Sequence, residues 1–329
     1  MTIHSRIAGT GSYLPALRLS NDDLVARLAK SGLETSDEWI KTRSGIEARH
    51  FASDDELTSD LGMKAAQAAM ASANCTAADL DLIILATSTP DHLGGFPSTA
   101  CVIQDKLGAH HGCAAFDVQA VCAGFMYAMA VADAMIRTGS YRKVLVIGAE
   151  VFSRILDFQD RTTCVLFGDG AGAMLIAAQK DETSDRGILA TALRSDGRYK
   201  DILYVDGGVS MQTTGHLRMQ GKEVFRHAVE KLSNTALEAI EAAGLTTDDV
   251  DWIVPHQANK RILEGMSKRL KVPMDRVVMT VNNHGNTSAA SIPLAMAVAA
   301  QDKRIKQGDI VVTGAIGGGL AWGTAVIRW

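Results

Sequence analysis

Cysteine is sparse in this sequence and odd in number: five residues, at 75, 101, 113, 122 and 164, with no CxxC pair among them. A disulfide framework needs an even count, and a zinc knuckle needs closer spacing, so both are excluded. The thiols are left as small buried hydrophobes, with room for one reactive exception. Proline is also scarce, six in 329 residues, and no low-complexity linker divides the chain. Neither sign of charge dominates: 33 Lys and Arg against 37 Asp and Glu leave −4, a poor match to a nucleic-acid surface. The longest apolar stretches, 121–132 and 289–300, fall short of the roughly 20 residues that a membrane helix requires. The chain starts Met1-Thr2-Ile3-His4 and runs straight into Ile7-Ala8-Gly9-Thr10-Gly11, with no basic segment followed by a long apolar one. A cytoplasmic location, without nucleic-acid or membrane partners, is the expectation. What is present is an ordinary globular composition, 47% hydrophobic and 21% charged, enough for a sizeable core.

The chain repeats itself. Residues 127–137 resemble 294–304 at a shift of 167, and Lys143-Val144-Leu145-Val146-Ile147-Gly148-Ala149 resembles Asp309-Ile310-Val311-Val312-Thr313-Gly314-Ala315 at a shift of 166. Upstream, Leu80-Asp81-Leu82-Ile83 echoes Val250-Asp251-Trp252-Ile253 at 170. Three matches in one order at nearly one offset predict duplicated halves. Within a half, short β-rich runs (82–86, 115–121, 144–147) alternate with helical segments (99–107, 124–138), an α/β pattern. A helix over 222–243 ends at Gly244, and the halves should join within 179–186.

Glycine-rich segments suggest cofactor loops at first sight. Gly9-Thr10-Gly11 lacks a third glycine, Gly168-Asp169-Gly170-Ala171-Gly172 is GxGxG rather than GxGxxG, and no GxxxxGK[ST] occurs. Tight turns leading into strands such as 173–177 are the expectation there. Gly317-Gly318-Gly319 is either a strained turn alone or a place where backbone approaches a ligand. Cys122 lies where an apolar strand gives way to a small-residue helix, a position where unpaired N–H groups and the helix dipole favour a thiolate. Taken alone, a cysteine in such an apolar run is more often a core thiol. In Pro255-His256-Gln257-Ala258-Asn259 a strand end aims an imidazole just before a basic helix over 260–270; that histidine is structural or functional. Asn286 stands in Asn282-Asn283-His284-Gly285-Asn286-Thr287-Ser288, ahead of an apolar helix, and an N-cap would explain the segment as well. A shift of 167 carries Cys122 onto residue 289, so the two halves should present related strand-to-helix turns to one shared site.

Six motifs in order carry a resemblance: Gly9-Thr10-Gly11-Ser12-Tyr13-Leu14-Pro15, Thr35-Ser36-Asp37-Glu38-Trp39-Ile40, Ala120-Val121-Cys122-Ala123-Gly124-Phe125, Phe167-Gly168-Asp169-Gly170-Ala171-Gly172, Pro255-His256-Gln257-Ala258-Asn259 and Gly285-Asn286-Thr287-Ser288-Ala289. Together they resemble the beta-ketoacyl-acyl carrier protein synthase III family, from about residue 5 to the C-terminus. The resemblance implies a thiolase-like, duplicated five-layer αβαβα fold, with halves at 1–180 and 181–329. It implies an acyltransferase that condenses a short acyl-CoA, acetyl-CoA by default, with malonyl-acyl carrier protein and so initiates type II fatty-acid synthesis, without metal or redox cofactor.

The same resemblance places the nucleophile at Cys122, completed by His256 and Asn286, with an oxyanion held by the backbone N–H groups of Cys122 and Gly318. Trp39 and Arg161 would sandwich the CoA adenine, Arg43 would reach the phosphates, and Gly221, Phe225 and Asn259 would line the pantetheine tunnel. Gln257, Ala258, Asn259, Lys260, Arg261, Lys268 and Arg269 would form the carrier-protein docking surface. Phe167 would border the acyl pocket, and Phe96, by the interface of a homodimer, would reach the partner's pocket. Two departures stand out: Ile316 and Leu320 flank the glycine triplet where relatives carry aromatics, and the loop 90–96 is slightly long. Both bear on starter choice. A degradative thiolase would need a second cysteine near the C-terminal glycines, and an elongating synthase a second histidine; neither is present. A related condensing enzyme of specialised metabolism with the same three residues is the remaining alternative.

Overall fold

Side-chain alternation along the strands sorts this protein into layers. The strand Leu82–Ala86 is buried on both faces: Leu82, Ile84 and Ala86 join one apolar cluster, and Ile83 and Leu85 another. The strand Ile310–Gly317 does the same, with Val311 and Ala315 turned to the first cluster and Val312 and Ile316 to a third. Strands buried on two sides read as continuous apolar runs, which is why the sequence shows no polar alternation there. The computed structural model describes residues 3–179 and 186–329.

Two sheets result. In the first, His4–Tyr13, Gly170–Gln179, Lys143–Glu150, Leu82–Ala86 and Ala114–Val118 lie side by side in that order. In the second the order is Gly187–Ser195, Ala321–Arg328, Ile310–Gly317, Trp252–Pro255. Each sheet has the same pairing sequence: antiparallel, antiparallel, then parallel. The fifth strand of the first sheet has only a single parallel bridge, Ile253 to Val277, as its counterpart in the second. Between the sheets lie the helices Gly124–Arg137 and Ser291–Gln301, whose Met126, Met129, Ile292 and Met296 share the cluster of both inner faces. Thr58–Ser72 and Thr99–Leu107 cover the outside of the first sheet; Gly221–Ala242 and Lys260–Leu270 cover the second. This is the five-layer αβαβα arrangement, and each repeated segment occupies the matching place in its half. The expected junction lies outside the described residues, except for Gln179 and Arg186 at its ends.

The glycines correct the sequence reading. Gly9, Gly11, Gly170 and Gly172 are not in turns but inside strands. A Cβ on Gly11 would come within 2.2 Å of the Ala69 nitrogen, and one on Gly172 within 2.4 Å of the Leu294 nitrogen. They let helix backbones lie almost directly on the sheet. The strand expected over 115–121 also ends early, at Val118, because the chain turns out of the sheet and Val121 takes a φ of 49° that no strand residue adopts.

Candidate active site

Cys122 sits in the turn Val121–Ala123, immediately before the central helix Gly124–Arg137, and is 5% exposed. The helix N-terminus behind it favours a negative charge. Burial works the other way and pushes the thiol up to about 12, with the charge of Glu150 adding to the rise and the nearby Ser288 hydroxyl opposing it. The turn is fixed from below by Gly317, where a Cβ would meet the Cys122 nitrogen at 2.7 Å. A Cβ on the next residue, Gly318, would meet the Leu203 carbonyl at 2.5 Å, so the triplet is packed between the cysteine turn and the strand Leu203–Val205.

His256 follows the strand Trp252–Pro255, and its backbone N–H donates to the Gly314 carbonyl at 2.9 Å, which extends the parallel pairing by one residue. Its ring is buried, its Nδ1 has no hydrogen-bond partner, and burial alone holds its pKa down to about 3. The imidazole is neutral at physiological pH. Asn286 follows Gly285, whose φ of 66° turns the chain out of the short helix Val281–His284. Its backbone N–H donates to Leu166 at 2.9 Å, and its side-chain Oδ1 accepts the Ser288 N–H at 2.9 Å. Because Oδ1 is held, the amide Nδ2 remains to donate to a bound molecule.

These three side chains, from both halves, line one cavity of about 550 Å³. Phe167, stacked on Phe152 with ring centroids 5.0 Å apart, forms part of its wall, as does Ile316. Gly221, Phe225, Ala258 and Asn259 lie along it toward solvent. The cations lining it are Arg43, Lys222 and Arg261, with no carboxylate beside them, a lining suited to a long anionic ligand with an apolar end.

Other expected residues fall less simply. Trp39 lies on the helix Asp37–Ser44, whose start Ser36 caps by accepting the Trp39 N–H. The Arg161 guanidinium rests 4.6 Å from the Trp39 ring centre and Arg43 lies 4.7 Å from it. Arg161 and Trp39 are thus in contact, and a third ring enters between them only if Arg161 lifts away. Asn259 caps the helix Lys260–Leu270 and donates to the Arg43 carbonyl at 3.0 Å, joining that helix to Asp37–Ser44. Lys260, Arg261, Lys268 and Arg269 are exposed on that helix.

Gln257 corrects the docking-surface reading. It is 1% exposed, and its amide donates to Pro255 and Val278 and accepts from the Thr280 and Val281 N–H groups. All its hydrogen bonds point inward, so it braces the His256 loop and meets no partner. Phe96 is 87% exposed and does not line its own chain's cavity. Lys222, Ser288 and Glu150 were not singled out from the sequence. The visible signal for Glu150 was an acid closing the apolar run 144–149.

A duplicated αβαβα fold with a cysteine at the head of a central helix, facing a histidine and an asparagine from the other half, defines a thiolase-fold condensing enzyme. The family profile described as 3-Oxoacyl-[acyl-carrier-protein (ACP)] synthase III matches residues 116–197, and its C-terminal counterpart matches 240–329. A curated Beta-ketoacyl-[acyl-carrier-protein] synthase III of Ruegeria sp. is 60% identical over all of both chains. The crystal structure of 3-oxoacyl-[acyl-carrier-protein] synthase III from Aquifex aeolicus is 42% identical, with a TM-score of 0.91 over 99% of this chain and 100% of that one. A priming beta-ketosynthase of a polyketide pathway is 32% identical, with a TM-score of 0.90 over 98% and 96%. The chain belongs to the beta-ketoacyl-[acyl-carrier-protein] synthase III family.

Proposed function

We infer that this protein joins a short acyl group from acyl-CoA to malonyl-acyl carrier protein, the condensation that begins type II fatty-acid synthesis. The observation that carries the reading is the meeting of Cys122, His256 and Asn286 in one cation-mouthed cavity. The Cys122 sulfur attacks the acyl-CoA carbonyl, CoA leaves, and a reactive acyl-cysteine remains. The backbone N–H groups of Cys122 and Gly318 serve the oxyanion of that step. Malonyl thioester then enters the vacated cavity. The neutral His256 ring and the Asn286 amide donate to its thioester oxygen, stabilise the enolate formed as carbon dioxide departs, and the carbanion attacks the acyl-cysteine. No metal or redox group enters these steps.

Arg43 and Lys222 hold phosphates at the mouth, Trp39 and Arg161 receive the adenine, and Phe225 and Asn259 border the pantetheine arm. An acidic carrier domain docks on Lys260, Arg261, Lys268 and Arg269 with Ala258 at its edge. The working unit is a cytoplasmic homodimer of chains divided near residue 180. Its support is the half-exposed edge strand Ala114–Val118 and the exposed apolar group Leu93, Phe96, Val209 and Met211.

The reading is tested by peptide mass spectrometry after incubation with acetyl-, butyryl- and octanoyl-CoA. An acetyl adduct confined to the Cys122 peptide is expected. A dominant octanoyl adduct would move the protein to a specialised starter, and an adduct on another cysteine would refute the assignment.

A further inference from the structure

Glu150 has no part in the chemistry above, yet it is a wholly buried acid behind the nucleophile. It ends the strand Lys143–Glu150 with no exposed surface, and its carboxylate accepts from Thr89 Oγ1 at 2.6 Å, Thr87 Oγ1 at 3.2 Å and the Ser88 N–H at 3.1 Å. The second half supplies Ser288, 1% exposed and with a hydroxyl that has no hydrogen-bond partner; its turn packs on both the Cys122 turn and the strand that ends in Glu150, the next residue, Ala289, lying against Gly148 and Gly124. Ser288 is held there by a backbone φ of 48°. A buried, unpartnered hydroxyl thus sits on a turn packed against both the thiol's turn and the carboxylate's strand.

We propose that Glu150 is the resident acceptor of the Cys122 thiol proton during acyl transfer, reached through the Ser288 hydroxyl. The proposal rests on Cys122 being the nucleophile. As the carbon–sulfur bond to the acyl carbon forms, the S–H bond breaks and its proton passes to the Ser288 oxygen, while the Ser288 proton passes to Glu150. When the bond from the acyl carbon to the CoA sulfur breaks, the proton returns by the same hydroxyl and CoA leaves as the thiol. Charge and protons balance, and no further reagent is needed.

Two features favour Glu150 over His256. The imidazole is held neutral with a pKa near 3, too weak a base for a thiol, whereas burial pushes the Glu150 carboxyl up to about 7. The high thiol pKa includes repulsion from ionised Glu150, and that repulsion vanishes as the proton reaches the carboxylate. Other titratable groups around this strand end are engaged elsewhere. Helix Ser291–Gln301 and strands Leu82–Ala86 and Gly170–Gln179 carry none. On Gly124–Arg137, Asp133 pairs with Arg137, and Tyr127 donates to the Arg194 carbonyl. On Thr58–Ser72, Asp60 pairs with Lys106 and Lys64 with Glu56. Asp91 accepts from the Ser59 N–H, and Asp169 from Ser153 and Ala52.

The test is the rate of acetyl transfer from acetyl-CoA to Cys122, followed by rapid quench and intact-mass measurement between pH 5.5 and about 9, the range that brackets the group titrating near 7. The intact wild-type chain should show a rate that rises with pH through a midpoint near 7. E150Q should be at least about tenfold slower at high pH and lose that midpoint, and S288A should be slowed likewise, about 1.4 kcal/mol in the barrier for each tenfold. A carboxylate that only burdens the thiol electrostatically gives the opposite sign: E150Q would acylate as fast or faster. That result overturns the proposal, as does an unaffected S288A, which also decides the matter if E150Q fails to fold. Wild-type protein that takes no acyl group on Cys122 would refute the nucleophile itself, a separate failure.

Discussion

The electrostatics of single residues set the pH behaviour. His256 and His284 are buried with pKa values held near 3 and 4, against 6.5 for an exposed ring. The unfolded chain therefore binds more protons than the folded one below about pH 6.5, so stability is full above that pH and declines as acid is added. Each group steepens the decline by up to about 1.4 kcal/mol per pH unit. Urea midpoints measured from pH 7 to about 4.5, spanning the 6.5 of an exposed ring, should fall more steeply for wild type than for H284N. At the reaction centre, C122S should abolish the acyl adduct. H256A and N286A should cost on the order of 10²-fold or more in malonyl decarboxylation, with a smaller effect on self-acylation measured without carrier protein. An equal loss in both steps would remove the division of roles between the thiol and the two donors.

At the scale of elements, helices lie on sheets closely enough that glycine is obligatory. G172A drives a methyl group into the Pro293 and Leu294 backbone, where neither partner is a flexible side-chain end. The expected loss is about 3 kcal/mol or more, read as a drop in urea midpoint with unchanged slope. G32A is the control for the substitution itself, since nothing lies within 4 Å of that position, although its φ of 81° adds local strain. On the basic helix Lys260–Leu270, reversing Lys268 and Arg269 together to Glu should raise KM for malonyl-carrier protein about tenfold and weaken its salt dependence, with acetyl transfer to Cys122 nearly unchanged, since neither residue lines the active-site cavity.

Element scale also shows what the sequence made legible. The helix Lys260–Leu270 and the strand Leu82–Ala86 were readable to the residue, because composition and caps agreed with packing. The glycine motifs were misread as turns because the need for glycine came from helices distant in sequence: Gly11 from Thr58–Ser72, Gly172 from Ser291–Gln301. Cys122, His256 and Asn286 were each ambiguous alone and became a set only through order and resemblance. Gln257 was misassigned because adjacency to basic residues says nothing about which way a side chain points. Glu150 was overlooked because the donors that bury it, Thr87, Ser88 and Thr89, come from the end of another strand, 61 and more positions away in the sequence.

For the molecule as a whole, the apolar patch around Leu93 and Phe96 is the expected subunit contact. If the proposed dimer forms through them, L93D combined with F96D should give a monomer by light scattering and reduce acyl transfer by about tenfold or more, since the cavity beside Gly318 and Gly319 shares Val121 and Phe152 with the active-site cavity. A monomer of full activity would show that each chain is self-sufficient.

The two halves share one detail finer than their topology. Val121 and Ser288, related by the 167-residue shift, hold φ values of 49° and 48°, each one residue before Cys122 or Ala289. A strained turn repeated in both halves places the site on the pseudo-twofold relation between them, so that the chain meets itself there as two copies of one motif. One copy carries the thiol, and the other holds the amide of Asn286 through the Ser288 N–H.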